Sequence, residues 1–439
     1  MGQLWTCHGG ASVIQPMSSA IEAAISNVDD WLDTMWSSQG YTGPIAHWWE
    51  SNLLFTGPLY DWRYEGIIDG YRILFHKTGR YDYLIKAMRA ADAVAEAGMD
   101  DGRYRNSSFQ FGPVAGGTPH EAALDAALFS LAEDLKDLDS SRVQRYRAVA
   151  MHNVQHYWVE TLWNGHGFRD QPYNPILVAN KHGTLLEAMV AANLLEGSWK
   201  PYVDSCVEVI LSAQVLEGPQ SGGTVHRGVG PSKLAIPIYT ARAMNGLLSL
   251  YEKDPRPIIK EAVLRSVPFF SRTIGKHGAV WGIYGDGRIA RFPEMIAGAG
   301  DILRFLWRVH NMGWDTSASS IMNNLRDLLL ESQHPSGGFP TGYGFSMKGL
   351  GGKRPGGIDV RDILPVAGWV DKAFRALALL APEEFAGPPA FTKSYRMDAH
   401  WKGQAVTWEE SRTEIVIRRK QRLIYRWMKG EWAPIIYAL

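Results

Sequence analysis

Hydrophobic positions recur with a helical period along most of the chain, and the helical stretches come in pairs. After a first helix over residues 18–36, the pattern predicts 60–76 with 81–97, 119–136 with 141–162 and 181–196 with 200–213. It continues with 234–252 and 256–274, then 294–311 and 316–332, and ends in a last helix over 362–380. Second members of the pairs begin about 60 residues apart, which marks a helical-hairpin repeat. The first member of each pair is the more apolar and the richer in Ala and Gly. The second is more charged, as in KAMRAADAVAEA and SSRVQRYRAVAMHNV. An apolar helix beside a charged one suits a double ring with the apolar helices inside. Pairing the last helix with the first closes that ring and leaves no bare end. The expected fold is therefore all-α, an (α/α)6 toroid over residues 1–387. Beyond it the pattern alternates, in KSYRMDAHW, TEIVIRR and LIYRWM, which predicts a small β appendage over 388–439. The basic run Arg418, Arg419, Lys420 reads as a solvated strand edge.

The connections give the ring a direction. Links from a first to a second helix are short, as in HKTGRY and EGSW, whereas the return links run to roughly 15 to 25 residues, well beyond ordinary loops. All the long links reach the face where the inner helices begin. That face is Gly-rich, aromatic and basic, with Arg103, Arg105, Arg169, Arg227, Arg288, Arg291, Lys353 and Arg354. The chain as a whole has 45 basic and 45 acidic residues, so a local excess of cations suggests an anionic ligand. The same neutrality argues against a nucleic-acid partner. No apolar run approaches a membrane span, and the first 17 residues show no signal peptide, so the chain is read as cytoplasmic or as exported with a leader removed. Cys7 and Cys206 lack metal-ligand spacing and read as buried thiols; no metal and no cofactor is expected. Nucleotide-binding glycine motifs and nucleophile elbows are absent. Oligomeric state is not legible.

Candidate chemistry gathers where inner helices start. The stretch VANKHGTLLEAMVAANLLE places Asn180, Lys181 and His182 in the first turn of an otherwise apolar helix, where unpaired N–H groups favour an anion. Trp48, Trp49, Tyr104, Phe109, Phe111, Tyr173, Trp281, Tyr284, Phe339 and Tyr343 could stack on sugar rings. Asp61, Glu65 and Asp69 recur every four residues on one helix face, and His120 with Glu121 opens the next inner helix. Such carboxyls could act in glycoside hydrolysis, with Glu294, Asp359 or Asp362 across the bond. Their structural alternative is to stitch the ring through Arg63 and Arg72.

NKHG at an inner helix start, followed one hairpin later by IPIYTARAMNGLLSLYE, resembles the Asn-His and Tyr elements of (α/α)-barrel polysaccharide lyases of the alginate lyase and heparinase type. Lys181 stands where such lyases often carry a second Asn. The resemblance implies β-elimination on an anionic, uronic-acid-containing poly- or oligosaccharide. Asn180 with Arg227 or Lys181 would neutralise the carboxylate, and His182 or Tyr239 would move the proton, with Arg242 one turn beyond Tyr239 depressing its pKa. A glycoside hydrolase of the six-hairpin type built on Asp61, Glu65, His120 and Glu121 is the main alternative. A uronate epimerase, a terpene cyclase and a non-catalytic glycan-binding scaffold complete the field.

Overall fold

The structure is a computed structural model that describes residues 17–45, 54–56, 60–105, 118–225, 233–314, 317–345, 359, 362, 369–382, 394–401, 404–430 and 435–436. Six helices form the inner layer: α2 (Trp62–Thr78), α4 (Thr118–Asp134), α6 (Ala179–Ala191), α8 (Pro237–Tyr251), α10 (Gly300–Asn311) and α12 (Val370–Leu380). Each packs on the next and α12 packs back on α2, so the ring is closed. Around it lie α1 (Met17–Met35), α3 (Tyr81–Glu96), α5 (Ser140–His152), α7 (Lys200–Ala213), α9 (Pro257–Ser271) and α11 (Ser317–Ser332). Helix α1 lies against α12, as the expected pairing of first and last helices requires. The fold is the all-α toroid of helical hairpins anticipated above.

Packing explains the Ala and Gly content of the inner layer. A Cβ added at Gly246 would sit 2.3 Å from the carbonyl oxygen of Gly183, so α6 and α8 meet backbone to backbone. Larger residues at that crossing would push the ring open. Three inner helices start later than the hydrophobic pattern suggests. Leu234–Ala235 and Glu294–Met295 are short strands ahead of α8 and α10, and Pro237 fills the first turn of α8, where its missing N–H costs nothing. Helix α12 begins at Val370, not at residue 362. Outer helix α5 passes into a π-helical segment, Asn153–Leu162, in place of the single α-helix expected over 141–162.

The ring axis is filled by ions. Arg242 on α8 makes a two-pronged pair with Glu65 on α2, at 2.7 and 2.8 Å, and those two helices stand opposite each other in the ring. Lys372 and Arg375 on α12 reach Glu65 at 2.9 and 3.1 Å, and Arg375 also holds Asp301 of α10 at 2.7 Å. Glu187 of α6 takes Arg304 at 2.8 Å. Burial alone would raise the pKa of Glu65, but Arg242, Arg375 and Lys372 overcome it and hold the carboxyl well below its usual range. Five inner helices are thus cross-tied through largely buried charges, an arrangement that makes removal of a buried partner expensive.

Five antiparallel strands, Tyr395–Trp401, Gln404–Glu410, Glu414–Arg419, Arg422–Met428 and Ile435–Ile436, form one sheet in sequence order. Its apolar face carries Trp408, Ile415, Ile417, Tyr425 and Trp427. It docks on α1, where Trp31 donates to Glu410 at 3.3 Å and Arg412 meets Asp30 at 2.5 Å. The basic run expected at an edge belongs instead to the hairpin between two interior strands. Arg418 faces Glu409, and Lys420 and Gln421 make the turn with positive φ. A bridge between Asp359 and His400 ties this sheet to the long link before α12. Among the described residues no helix is long and apolar enough to cross a membrane.

Candidate functional site

The first turn of α6 was the leading candidate, and its residues divide by the face they occupy. His182 is fully buried; its Nδ1 lies 2.9 Å from the Val178 carbonyl and its Nε2 accepts the Phe168 N–H at 3.0 Å. Desolvation lowers its pKa to about 4, so the ring is neutral with both nitrogens occupied. Such an imidazole holds a loop and has no free lone pair with which to take a substrate proton. These contacts weigh against the expected role of His182 as a base. Lys181 forms a buried ion pair with Asp170, so its ammonium serves the same loop. Asn180 differs. It shares a helix face with Thr184 and Glu187, which touch the axial network, and its Oδ1 is buried without a hydrogen bond.

One helix over, Tyr239 is half-buried in the first turn of α8, one turn closer to the loops than Arg242. Arg242 directs donors to Glu65, Glu187 and the Thr184 hydroxyl, the last at 2.8 Å. Trp281 is buried and Tyr284 is half-buried beneath Arg288, whose guanidinium lies 4.7 Å from its ring centre. Trp48, Trp49 and Arg227 lie outside the described residues, as does the side chain of His120.

The α2 and α12 side carries carboxyls in a different condition. Asp61 caps α2, accepting the Arg63 N–H at 3.1 Å, and its side chain pairs with the Arg63 guanidinium. Burial pushes Asp61 up to about 6, against the opposing pull of Arg63 and Lys372. Asp371, in the first turn of α12, is fully buried and pushed up to about 7 by desolvation, which its ion pair with Lys372 at 2.9 Å only partly offsets. Space for its carboxylate exists because residue 66 is Gly: a Cβ there would lie 2.6 Å from Asp371 Oδ2. Lys372 also reaches the Trp62 carbonyl at 3.3 Å, and the rings of Trp62 and Trp369 meet at 4.5 Å. Two perturbed carboxyls, a lysine and two indoles therefore converge on the first turns of neighbouring inner helices. Asp371 escaped the sequence reading because the last helix was placed eight residues too early, which put WVDK in mid-helix; Trp before an Asp-Lys pair at a helix start was the available signal.

Other acids have structural work. Glu65 belongs to the axis, and Asp69 bridges Arg72 and Arg375 at 3.1 Å each. Glu294 accepts the His277 N–H at 2.7 Å, and Asp362 accepts those of Gly344 and Phe345 at 2.8 and 2.9 Å. Glu121 is fully buried on α4 beside Asp125, whose pKa burial and the Glu121 charge raise well above normal. Some of the described cations on the basic face are already engaged. Arg103 pairs with Asp101 and Arg288 with Asp286, and Arg169 donates to backbone carbonyls.

No protein-family model and no curated protein sequence matches the chain. Solved structures do. A family 88 glycosyl hydrolase from Bacteroides vulgatus aligns over 85% of this chain and all of its own, with a TM-score of 0.56 at 12% identity. A polysaccharide lyase aligns over 84% of this chain and 97% of its own, at 0.52 and 12%. The cellobiose 2-epimerase of Bacillus thermoamylovorans covers 83% of this chain and 100% of its own, at 0.60 and 9%. These neighbours are carbohydrate-active enzymes of the six-hairpin α/α toroid, and what this chain shares with them is the fold.

Proposed function

We propose that this protein is a carbohydrate-active enzyme that takes a glycan at the loop-bearing mouth of the ring, and that it cleaves the glycan by carboxyl-based hydrolysis. The observation that carries the reading is the pair Asp61 and Asp371, displaced to about 6 and about 7 on adjacent helix starts. Glycoside hydrolysis needs one carboxyl that keeps its proton near neutrality and one that loses it. Asp371 is the acid, giving its proton to the leaving glycosidic oxygen. Asp61 is the carboxylate, activating water or attacking the sugar. Trp62 and Trp369 supply apolar faces for a sugar ring. Both carboxyls are buried in this structure, so the reading requires Arg63 or the indole pair to move aside as substrate enters.

Elimination from a uronate is the second reading. It is supported by Tyr239 and by the unpartnered Oδ1 of Asn180, each a turn above the axial cations, with Tyr239 moving the proton in place of His182. The two readings part on their products. Hydrolysis of neutral or uronate-containing oligosaccharides yields new reducing ends and no ultraviolet chromophore. A conjugated double bond appearing with each cut would hand the assignment to elimination.

A further inference from the structure

The polar groups that the first turn of α6 withholds from chemistry are spent on one small object, the hairpin of strands Arg169–Gln171 and Asn174–Leu177 on the mouth face. Its tip is Pro172-Tyr173, closed by pairing of Gln171 with Asn174, with proline fixing one φ of the turn. Tyr173 is 74% exposed, the most exposed large hydrophobic side chain among the described residues. Exposure of one aromatic residue is ordinary, but its mounting here is not. Asp170 below the tip is buried, ion-paired with Lys181, and accepts from Asn174 Nδ2 at 3.1 Å. Arg169 donates to the carbonyls of Thr161 at 2.7 Å and Pro172 at 3.0 Å. His182 takes the Phe168 N–H where the hairpin begins. A desolvated Lys–Asp pair is a costly way to hold a surface loop, and it makes sense when the loop's position matters.

We infer that Tyr173 is a fixed stacking platform for a sugar ring of the bound glycan, at the rim between the first turns of α4 and α6. This rests on the glycan reading above and adds a subsite to it. Strand Arg169–Gln171 packs on the π-helical segment Asn153–Leu162, which itself packs on α4, so the hairpin stands on the α4 side of the rim. A pyranose offers a C–H face that packs on an aromatic ring while its hydroxyls stay in water. A platform already held rigid loses little conformational entropy when it is occupied. Because the platform stands at the rim and not beside Asp61 and Asp371, it serves the outer units of a longer chain.

The test compares a disaccharide (cellobiose) with tetrasaccharides (α-1,6-mannotetraose and a uronate tetrasaccharide), by calorimetric binding and by turnover, for wild type, Tyr173→Ala and Tyr173→Trp. Tyr173→Ala weakens tetrasaccharide binding about three- to tenfold and raises KM by the same factor, with kcat unchanged and disaccharide binding unaffected. Tyr173→Trp restores the loss. Amide exchange in wild type finds protection at the positions paired across the hairpin, Arg169 with Leu177 and Gln171 with Asn174. Equal tetrasaccharide affinity in Tyr173→Ala and wild type, or hairpin amides exchanging at free-loop rates, overturns the inference while leaving the hydrolase reading intact. Wild-type binding without turnover overturns the hydrolase reading, and the Tyr173 comparison still decides the platform.

Discussion

Two parts of the same mouth, the start of α6 and the joined starts of α2 and α12, use similar residues in opposite ways. At α6 a lysine and a histidine are buried with their polar atoms committed: Lys181 to Asp170, His182 to the Val178 carbonyl and the Phe168 amide. At α2 and α12 the carboxyls are buried with incomplete compensation, and their protons shift toward neutrality. Placement at a helix N-terminus therefore does not make a group reactive. What distinguishes the two regions is where burial leaves the proton: His182 is held neutral with both nitrogens engaged, whereas Asp61 and Asp371 are pushed toward neutrality by desolvation that their cations only partly offset.

The sharpest way to break the comparison is to neutralise the α2 carboxyl. Asp61→Asn keeps the shape of the helix cap and removes the ionisable group, and it should lower kcat about 100- to 10,000-fold on any glycan that wild type cleaves. Activity measured per folded molecule checks it. A loss below threefold would move Asp61 to a purely capping role.

How much of this was legible in the chain depends on what each signal measures. Apolar periodicity reports which face of a segment is buried, so the hairpin repeat, the inner and outer layers and the ring closure followed from it. Helix starts were less visible. Leu234 and Glu294 fit a helical pattern yet lie in short strands, and the same error at residue 362 hid Asp371. For the candidate site, Asn180, Tyr239 and Asp61 lie at the starts of inner helices, where the sequence put them. It could not reveal that His182 turns toward Phe168, because that depends on a partner 14 residues away on a separate strand link. Nor could it show that Arg242 crosses the ring to Glu65, 177 residues earlier. The salt-bridge alternative raised for Glu65 and Asp69 is the one their surroundings favour.

A smaller effect sharpens the account of Asp371. Its folded pKa of about 7 lies above the ordinary 3.8, so the folded state holds the proton more tightly than the unfolded state. This contribution to stability is full below about pH 4 and is lost as pH rises through about 7. Asparagine does not titrate. The stability difference between Asp371→Asn and wild type should therefore move in the variant's favour by up to about 4 kcal/mol between pH 4 and pH 8. Denaturant unfolding at the two pH values measures it, and a pH-independent difference would return Asp371 to the ordinary carboxylate range.

The division of the mouth into a region that anchors and a region that reacts is tested most directly by the turnover of His182→Gln, measured alongside exchange of the Phe168 amide. A glutamine oxygen can still accept that N–H, so the hairpin can stay in place while the imidazole is gone. The account predicts kcat within about threefold of wild type, with any loss confined to KM, since a positioned acid or base would cost at least about 100-fold. A fall in kcat of that size, with the Phe168 amide still protected, would contradict it and return His182 to the chemistry.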